Sequence, residues 1–168
     1  LAGAALASGG DDNTIIGDYS GTAITTGDKN VIIGAEAGKT MTTANEITII
    51  GYAAGTAISA GQTVTDGTVA VGAFALGALT SGIGNVAVGY LSLDANQTSD
   101  YNTAVGHQAL SGVNGDGTQG NTAVGYQAGM LETNGAQNTF IGYGAFKAGD
   151  AGEAGNTDGQ GFGGDGLS

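Results

Sequence analysis

One six-residue phrase occurs four times between Asn85 and Phe146: Asn85-Val86-Ala87-Val88-Gly89-Tyr90, Asn102-Thr103-Ala104-Val105-Gly106-His107, Asn121-Thr122-Ala123-Val124-Gly125-Tyr126 and Asn138-Thr139-Phe140-Ile141-Gly142-Tyr143. Weaker copies stand at Asn13 to Gly17, Asn30 to Gly34, Ile47 to Gly51 and Thr68 to Gly72. The anchor glycines are therefore Gly17, Gly34, Gly51, Gly72, Gly89, Gly106, Gly125 and Gly142, separated by steps of 17, 17, 21, 17, 17, 19 and 17 residues. A fixed period of this length makes each repeat one structural unit that buries its apolar face against its neighbours, which is the signature of a solenoid.

Each repeat reads in two halves. The residue before the anchor is Ile16, Ile33, Ile50, Val71, Val88, Val105, Val124 or Ile141, always β-branched and suited to a pleated strand. The residue before that is Ile15, Ile32, Ile49, Ala70, Ala87, Ala104, Ala123 or Phe140. Successive strand residues point to opposite faces, so two adjacent apolar columns predict that one fills the coil and the other meets a second surface. The second half, seen as Ala23-Ile24-Thr25, Thr40-Met41-Thr42, Ala57-Ile58-Ser59 and Ala78-Leu79-Thr80, is expected to form a second strand. The recurring Asn13, Asn30, Asn85, Asn102, Asn121 and Asn138 are expected to stack and exchange amide hydrogen bonds from coil to coil.

The expected fold is all-β, a parallel β-solenoid of about 8–9 coils, with a partial coil over residues 1–12, repeats over 13–146 and a degenerate terminal coil or glycine-rich segment over 147–168. Thirty-five glycines, no proline and 6% aromatic residues fit a stacked array better than an ordinary globular core. One coil buries only a few modest side chains, while ordering its residues costs about 1.5 kcal/mol each. Burying the outer column against identical chains offsets that cost, and the expected assembly is a homotrimer.

Fifteen acidic residues against three lysines give a net charge of -12, which opposes contact with nucleic acid or an anionic membrane. No run of eighteen apolar residues predicts a membrane helix. Leu1 to Ala7 lacks a basic start and an initiator Met; it is not expected to be an intact signal peptide, and the chain is expected to be a piece of something longer.

Candidate sites are few. Tyr90, His107, Tyr126 and Tyr143 follow successive anchors and should form one column, either a stripe whose ring faces contact glycans or a structural ladder of stacked rings. Asp11, Asp28, Asn45 and Asp66, each six residues before an anchor, form a row that could hold Ca²⁺ weakly or serve as ordinary turn formers; no other cofactor is expected. His107 has no Cys or fixed carboxylate partner to make a zinc site or a catalytic pair. No nucleophile elbow or phosphate loop is present, and Asp94 with Asp100 is the one carboxylate pair weighed for polysaccharide cleavage. The threonine columns (Thr25, Thr42, Thr80 and Thr103, Thr122, Thr139) suggest an ice-binding face, but Val31, Val69, Val86, Gln97 and Asn114 interrupt them.

The run Asn121-Thr122-Ala123-Val124-Gly125-Tyr126-Gln127-Ala128-Gly129 resembles the repeats of virion-attached fibre proteins of tailed bacteriophages. It is also similar to the Val-Ala-Ile-Gly repeats in the heads of trimeric autotransporter adhesins. The resemblance covers roughly residues 11–146. It implies a trimeric parallel β-roll in an extracellular or virion-surface appendage, joined to other fibre segments and presenting a rigid surface to a host-cell glycan or protein. The adhesin head repeat is shorter than the one here, and this chain shows no coiled-coil stalk or membrane anchor, which favours the phage fibre as the nearer likeness.

Overall fold

A computed structural model describes residues 1–6, 10–58, 66–115 and 117–146. Eight three-residue strands carry the phrase: β1 Thr14–Ile16, β2 Val31–Ile33, β3 Thr48–Ile50, β4 Val69–Val71, β5 Val86–Val88, β7 Thr103–Val105, β9 Thr122–Val124 and β10 Thr139–Ile141. They pair in parallel, in chain order, as one eight-stranded sheet. The register never slips: Ile15, Ile32, Ile49, Ala70, Ala87, Ala104, Ala123 and Phe140 lie one above the next, as do Val88, Val105 and Val124. Eight strands make seven coil-to-coil steps, a stack about 34 Å high at the usual strand spacing. A small second sheet pairs β6 Ser99–Asp100, in the step from Gly89 to Gly106, with β8 Gly117–Thr118, in the longer step from Gly106 to Gly125.

The two apolar columns divide as expected. Inside, Ile32, Ile49, Ala70, Ala87, Ala104 and Ala123 are fully buried. Outside, Ile16 is 57% exposed and Ile141 62%, with Val105 and Val124 also exposed. The residue opening each strand, such as Val69 or Thr122, shares that outward face by alternation.

The second half of the coil is not a strand. Among the described residues, Ala23 to Thr25, Thr40 to Thr42 and Ala78 to Thr80 lie in turns and bends, and the fourth such segment is described only through Ile58. The reason is backbone handedness. In each coil the second and fourth residues after the anchor take positive φ, as at Phe74 (59°) and Leu76 (50°), and a left-handed residue ends the pleat. The apolar residues nonetheless face inward. Ile24, Met41, Ile58, Leu79 and Val113 form a fully buried inner column without any strand. Asn96 falls in that column too, and satisfies its amide by donating to the Ser99 carbonyl and accepting from the Ser99 N–H.

The anchor glycine is needed for two reasons. At Gly89 φ is 141°, a conformation that residues with a Cβ rarely adopt, and an added Cβ would run into the Gly106 carbonyl of the next coil. The Gly106 N–H in turn bonds the Val88 carbonyl at 2.8 Å.

The asparagine ladder is real but differs from the expected amide exchange. Asn85 Oδ1 accepts the Asn102 backbone N–H (2.9 Å), Asn102 Oδ1 that of Asn121 (3.0 Å), and Asn121 Oδ1 that of Asn138 (2.9 Å). The amide nitrogens donate to backbone carbonyls in the turn of the next coil, as Asn30 does to Ala44 and Asn121 to Gly135. Within this ladder, among the described residues, only the 3.4 Å contact from Asn102 Nδ2 to Asn85 Oδ1 joins two side-chain amides. Spending the side chain on backbone is the better use of it, because a buried N–H left unpaired costs about 1–3 kcal/mol.

Candidate functional site

The most continuous surface feature is a column of rings. Tyr90, His107, Tyr126 and Tyr143 stand one residue past successive anchors, and the sheet register sets them above one another. Ring centroids lie 5.1, 5.2 and 4.9 Å apart, with interplanar angles of 31°, 24° and 13°. The four residues named from the sequence are thus brought together.

Two further rings extend the column. Tyr52 also follows its anchor directly, and Phe74 stands one residue later, because Ala73 occupies the usual place. Phe74 meets Tyr52 edge to face at 5.3 Å and Tyr90 at 6.2 Å. The sequence held a signal for this, an aromatic displaced by one position, but only the left-handed turn at Phe74 shows how its ring reaches the same file.

The geometry bears on what the column can do. Sugar rings stack on aromatic faces, and from Tyr90 to Tyr143 those faces are turned toward each other. The rings present edges outward, and Tyr143 is 70% exposed. That arrangement favours a structural ladder over a stripe of sugar-stacking faces. Beside it, Gln127 Nε2 donates to Gln108 Oε1 at 2.7 Å, a second ladder in the neighbouring column.

The row of Asp11, Asp28, Asn45 and Asp66 is also assembled in register, and one oxygen each of Asp28, Asn45 and Asp66 is in use. Asp28 Oδ1 accepts the Asp11 backbone N–H (2.8 Å), Asn45 Oδ1 that of Asp28 (2.9 Å), and Asp66 Oδ1 that of Asn45 (2.9 Å). Asp100 does the same for Ile83 at 2.9 Å. The position asks for an acceptor and not for a charge, which accounts for Asn45 in a row of aspartates. Among the described residues no group of three or more His, Cys, Asp or Glu side chains is placed to hold a metal.

Asp100 is therefore occupied in a backbone ladder, while its companion Asp94 stands on another column of the same coil. Burial raises the Asp94 carboxyl above the ordinary carboxylate range, against the lowering effect of backbone N–H groups at Asp94 and Ala95. Its Oδ1 is buried without a hydrogen-bond partner. His107 lies between two tyrosine rings in the ladder, its place in the column matching theirs.

Comparison with protein-family models, curated proteins and solved structures gives no match. No described helix is long and apolar enough to cross a membrane.

Proposed function

We propose that the chain is a non-catalytic structural segment of a fibre, assembled as a homotrimer, that serves attachment of a tailed-phage virion to its host cell. The observation that carries this reading is the unbroken register of eight strands, which makes a stack of level coils. A stack of this kind holds a binding tip at a fixed distance, or offers modest contacts many times over. Repetition on three chains then gains through effective concentration. The resemblance of residues 11–146 to phage fibre repeats points the same way.

A bacterial surface adhesin head is the second reading, favoured by the likeness to Val-Ala-Ile-Gly repeats. Polysaccharide cleavage through Asp94 and Asp100 is a weaker one, since Asp100 Oδ1 already serves the Ile83 N–H. An ice-binding face is weaker still, because valines break its threonine columns. Immunogold electron microscopy with an antibody against this chain tests the proposal. Label on the slender appendages of virus particles is the expected result. Label along the cell envelope would favour the adhesin, and label confined to the cell interior would overturn both.

A further inference from the structure

We infer that Tyr101 and Asp100 form a binding site for a primary ammonium group, the chemistry that a lysine side chain of a partner protein presents. The site is independent of the fibre reading, because it follows from the chemistry of one turn.

Elimination among the tyrosines leads to it. Of the six in the chain, Tyr52, Tyr90, Tyr126 and Tyr143 have ring partners in the ladder. Tyr19 has the Lys39 ammonium 5.7 Å from its ring centroid. Among the described residues neither a ring nor a cation covers Tyr101, which is 53% exposed.

The chain itself shows what such a ring takes. The Lys39 Nζ over Tyr19 also lies 3.3 Å from Glu36 Oε2, so an aromatic ring and a carboxylate share one ammonium. Tyr101 and Asp100 repeat that pairing. Asp100 Oδ1 accepts the Ile83 N–H at 2.9 Å, and Tyr101 Cδ1 lies 2.7 Å from where a Cβ on Gly84 would stand. Carboxylate and ring therefore lean over two adjacent residues of the coil below, with Asp100 Oδ2 as the acceptor for an ammonium N–H. No Lys or Arg stands between Lys39 and Lys147 in the sequence.

The surroundings suit a ligand. In the column of Tyr101 the neighbouring coils carry Gly84 and Gly120, and no described atom lies within 4 Å of the Gly120 Cβ position, so an alkyl stem has room beside the ring. The Tyr101 N–H bonds the Ile83 carbonyl (2.9 Å), the Asp100 carbonyl takes the Gly120 N–H (3.3 Å), and β6 ends at Asp100 in its pairing with β8. The backbone that presents both side chains is thus held from both sides. The two long steps of the repeat carry their additional residues just ahead of this column, between Ile58 and Asp66 and between Asn114 and Gln119, and insertions in repeat folds gather on the binding face. Charge selects the ligand. From Thr40 to Phe146 the chain has Glu46, Asp66, Asp94, Asp100, Asp116 and Glu132 and no Lys or Arg, a field that draws cations and repels phosphates and carboxylates.

Titration of the whole chain with N-acetyl-lysine methylamide, followed by NMR at the Asp100 amide and the tyrosine rings, tests the inference. A saturable shift is expected. The norleucine analogue, which keeps the stem without the charge, and methyl glucoside should give none, and tetramethylammonium, charged but without an N–H, should bind less tightly. Tyr101→Leu should weaken binding roughly two- to fivefold, while Tyr101→Phe keeps the ring and the affinity. Asp100→Asn still offers an acceptor to the Ile83 N–H, so it should leave the unfolding curve in place and weaken binding roughly two- to fivefold by loss of charge. Lys39→Ala uncovers the Tyr19 ring beside Glu36 and should add a second site, read as a saturable shift of the Tyr19 ring. Absence of a saturable shift at Asp100, equal binding of any control probe, undiminished binding in Tyr101→Leu or Asp100→Asn, or a Lys39→Ala chain without the second site would each overturn it.

Discussion

Ile49 and Gly55 share one space: the Ile49 Cδ1 lies 2.9 Å from the point where a Cβ on Gly55 would stand. Three coils solve the same packing problem in reverse. Where the inner strand residue is Ala70, Ala87 or Ala104, the residue four past the anchor is Leu76, Leu93 or Leu110, each fully buried. Where it is Ile15, Ile32 or Ile49, that residue is Gly21, Gly38 or Gly55. In these six coils the interior is filled from one side or the other, whereas the coil of Ala123 and Gly129 is filled by its neighbours, Leu110 Cδ2 and Phe140 Cδ2 each lying 2.7 Å from the Gly129 Cβ position. Ile49→Ala alone should cost about 2–4 kcal/mol by leaving a cavity, and Gly55→Leu alone about 1–3 kcal/mol by overpacking. The double variant should recover most of the loss, because it reproduces the coil of Ala70 and Leu76. Recovery will be incomplete, since Ile58 Cδ1 also lies 2.9 Å from the Gly55 Cβ position. Denaturant unfolding of the four proteins gives the coupling, and strict additivity would refute the exchange.

The glycines divide into those that must be glycine and those that need not be. At Gly89 an added methyl group meets backbone of the next coil, so Gly89→Ala should destabilise by several kcal/mol, strain at its φ of 141° alone contributing about 1–3 kcal/mol. Gly120 has a φ of 62° and no described atom near its Cβ position. Five places in its column are held by Asp12, Lys29, Glu46, Tyr101 and Gln137 at φ between 56° and 62°. Gly120→Asn should therefore change stability by no more than about 1 kcal/mol. Thermal unfolding of the two variants side by side would contradict this account if both fell equally.

Asn102 is fully buried and serves the coils on both sides. Its backbone N–H is taken by Asn85 Oδ1, and its own Oδ1 takes the Asn121 N–H. Asn102→Ala strands the Asn121 donor in the interior, at a cost of about 1–3 kcal/mol. Hydrogen exchange should show the Asn121 amide losing protection ahead of amides four coils away, such as that of Ile50. Uniform loss along the stack would mean that the ladder acts only through global stability.

Much of this architecture was legible because its period is written in the side chains. The column of Val88, Val105 and Val124 follows from spacing alone, and so does the buried partner column of Ala87, Ala104 and Ala123. The second half of the coil was not legible. Its apolar content at Ile24, Met41 and Leu79 suits a strand, yet the backbone turns left-handed at positions filled by Tyr19, Leu76 or Gln108 as well as by glycine. Close coil-to-coil hydrogen bonding overrides the local preference of these residues, and no composition rule reveals that. At the candidate sites, spacing placed the rings in one file but could not show which surfaces of the rings remain outward. The acidic row was found for its carboxylates, while its work is to accept a backbone N–H, which Asn45 does equally well.

The ring ladder has a direct test. Tyr126 stacks on His107 at 5.2 Å and on Tyr143 at 4.9 Å, and each such contact is worth about 0.5–1.5 kcal/mol beyond area burial. Tyr126→Ala should lower stability by about 1–3 kcal/mol. Tyr126→Phe, which keeps the ring, should restore most of that. If the column is structural, binding to any cell or glycan that the chain is found to contact will be the same for both variants once each is folded. Loss of binding in Tyr126→Ala with its melting temperature unchanged would reassign the column to ligand contact.

Asp94 gives the pH prediction. Its carboxyl is raised by burial, so the folded chain holds that proton more tightly than the unfolded chain does. Between the unfolded pKa and the raised folded value, the native state carries more bound proton, and stability falls as pH rises through that interval. Above the folded value the full penalty of burying the charge remains. Asp94→Asn removes the charge while keeping the shape, so it should stabilise the chain at neutral pH and do nothing at pH values below the ordinary carboxylate range. The gain should stay below about 1 kcal/mol, because the side chain is only partly buried and solvent screens it. Unfolding curves of the two proteins, followed from acid to neutral pH, should diverge as the pH rises; curves that run parallel throughout would show that Asp94 is not strained by its surroundings.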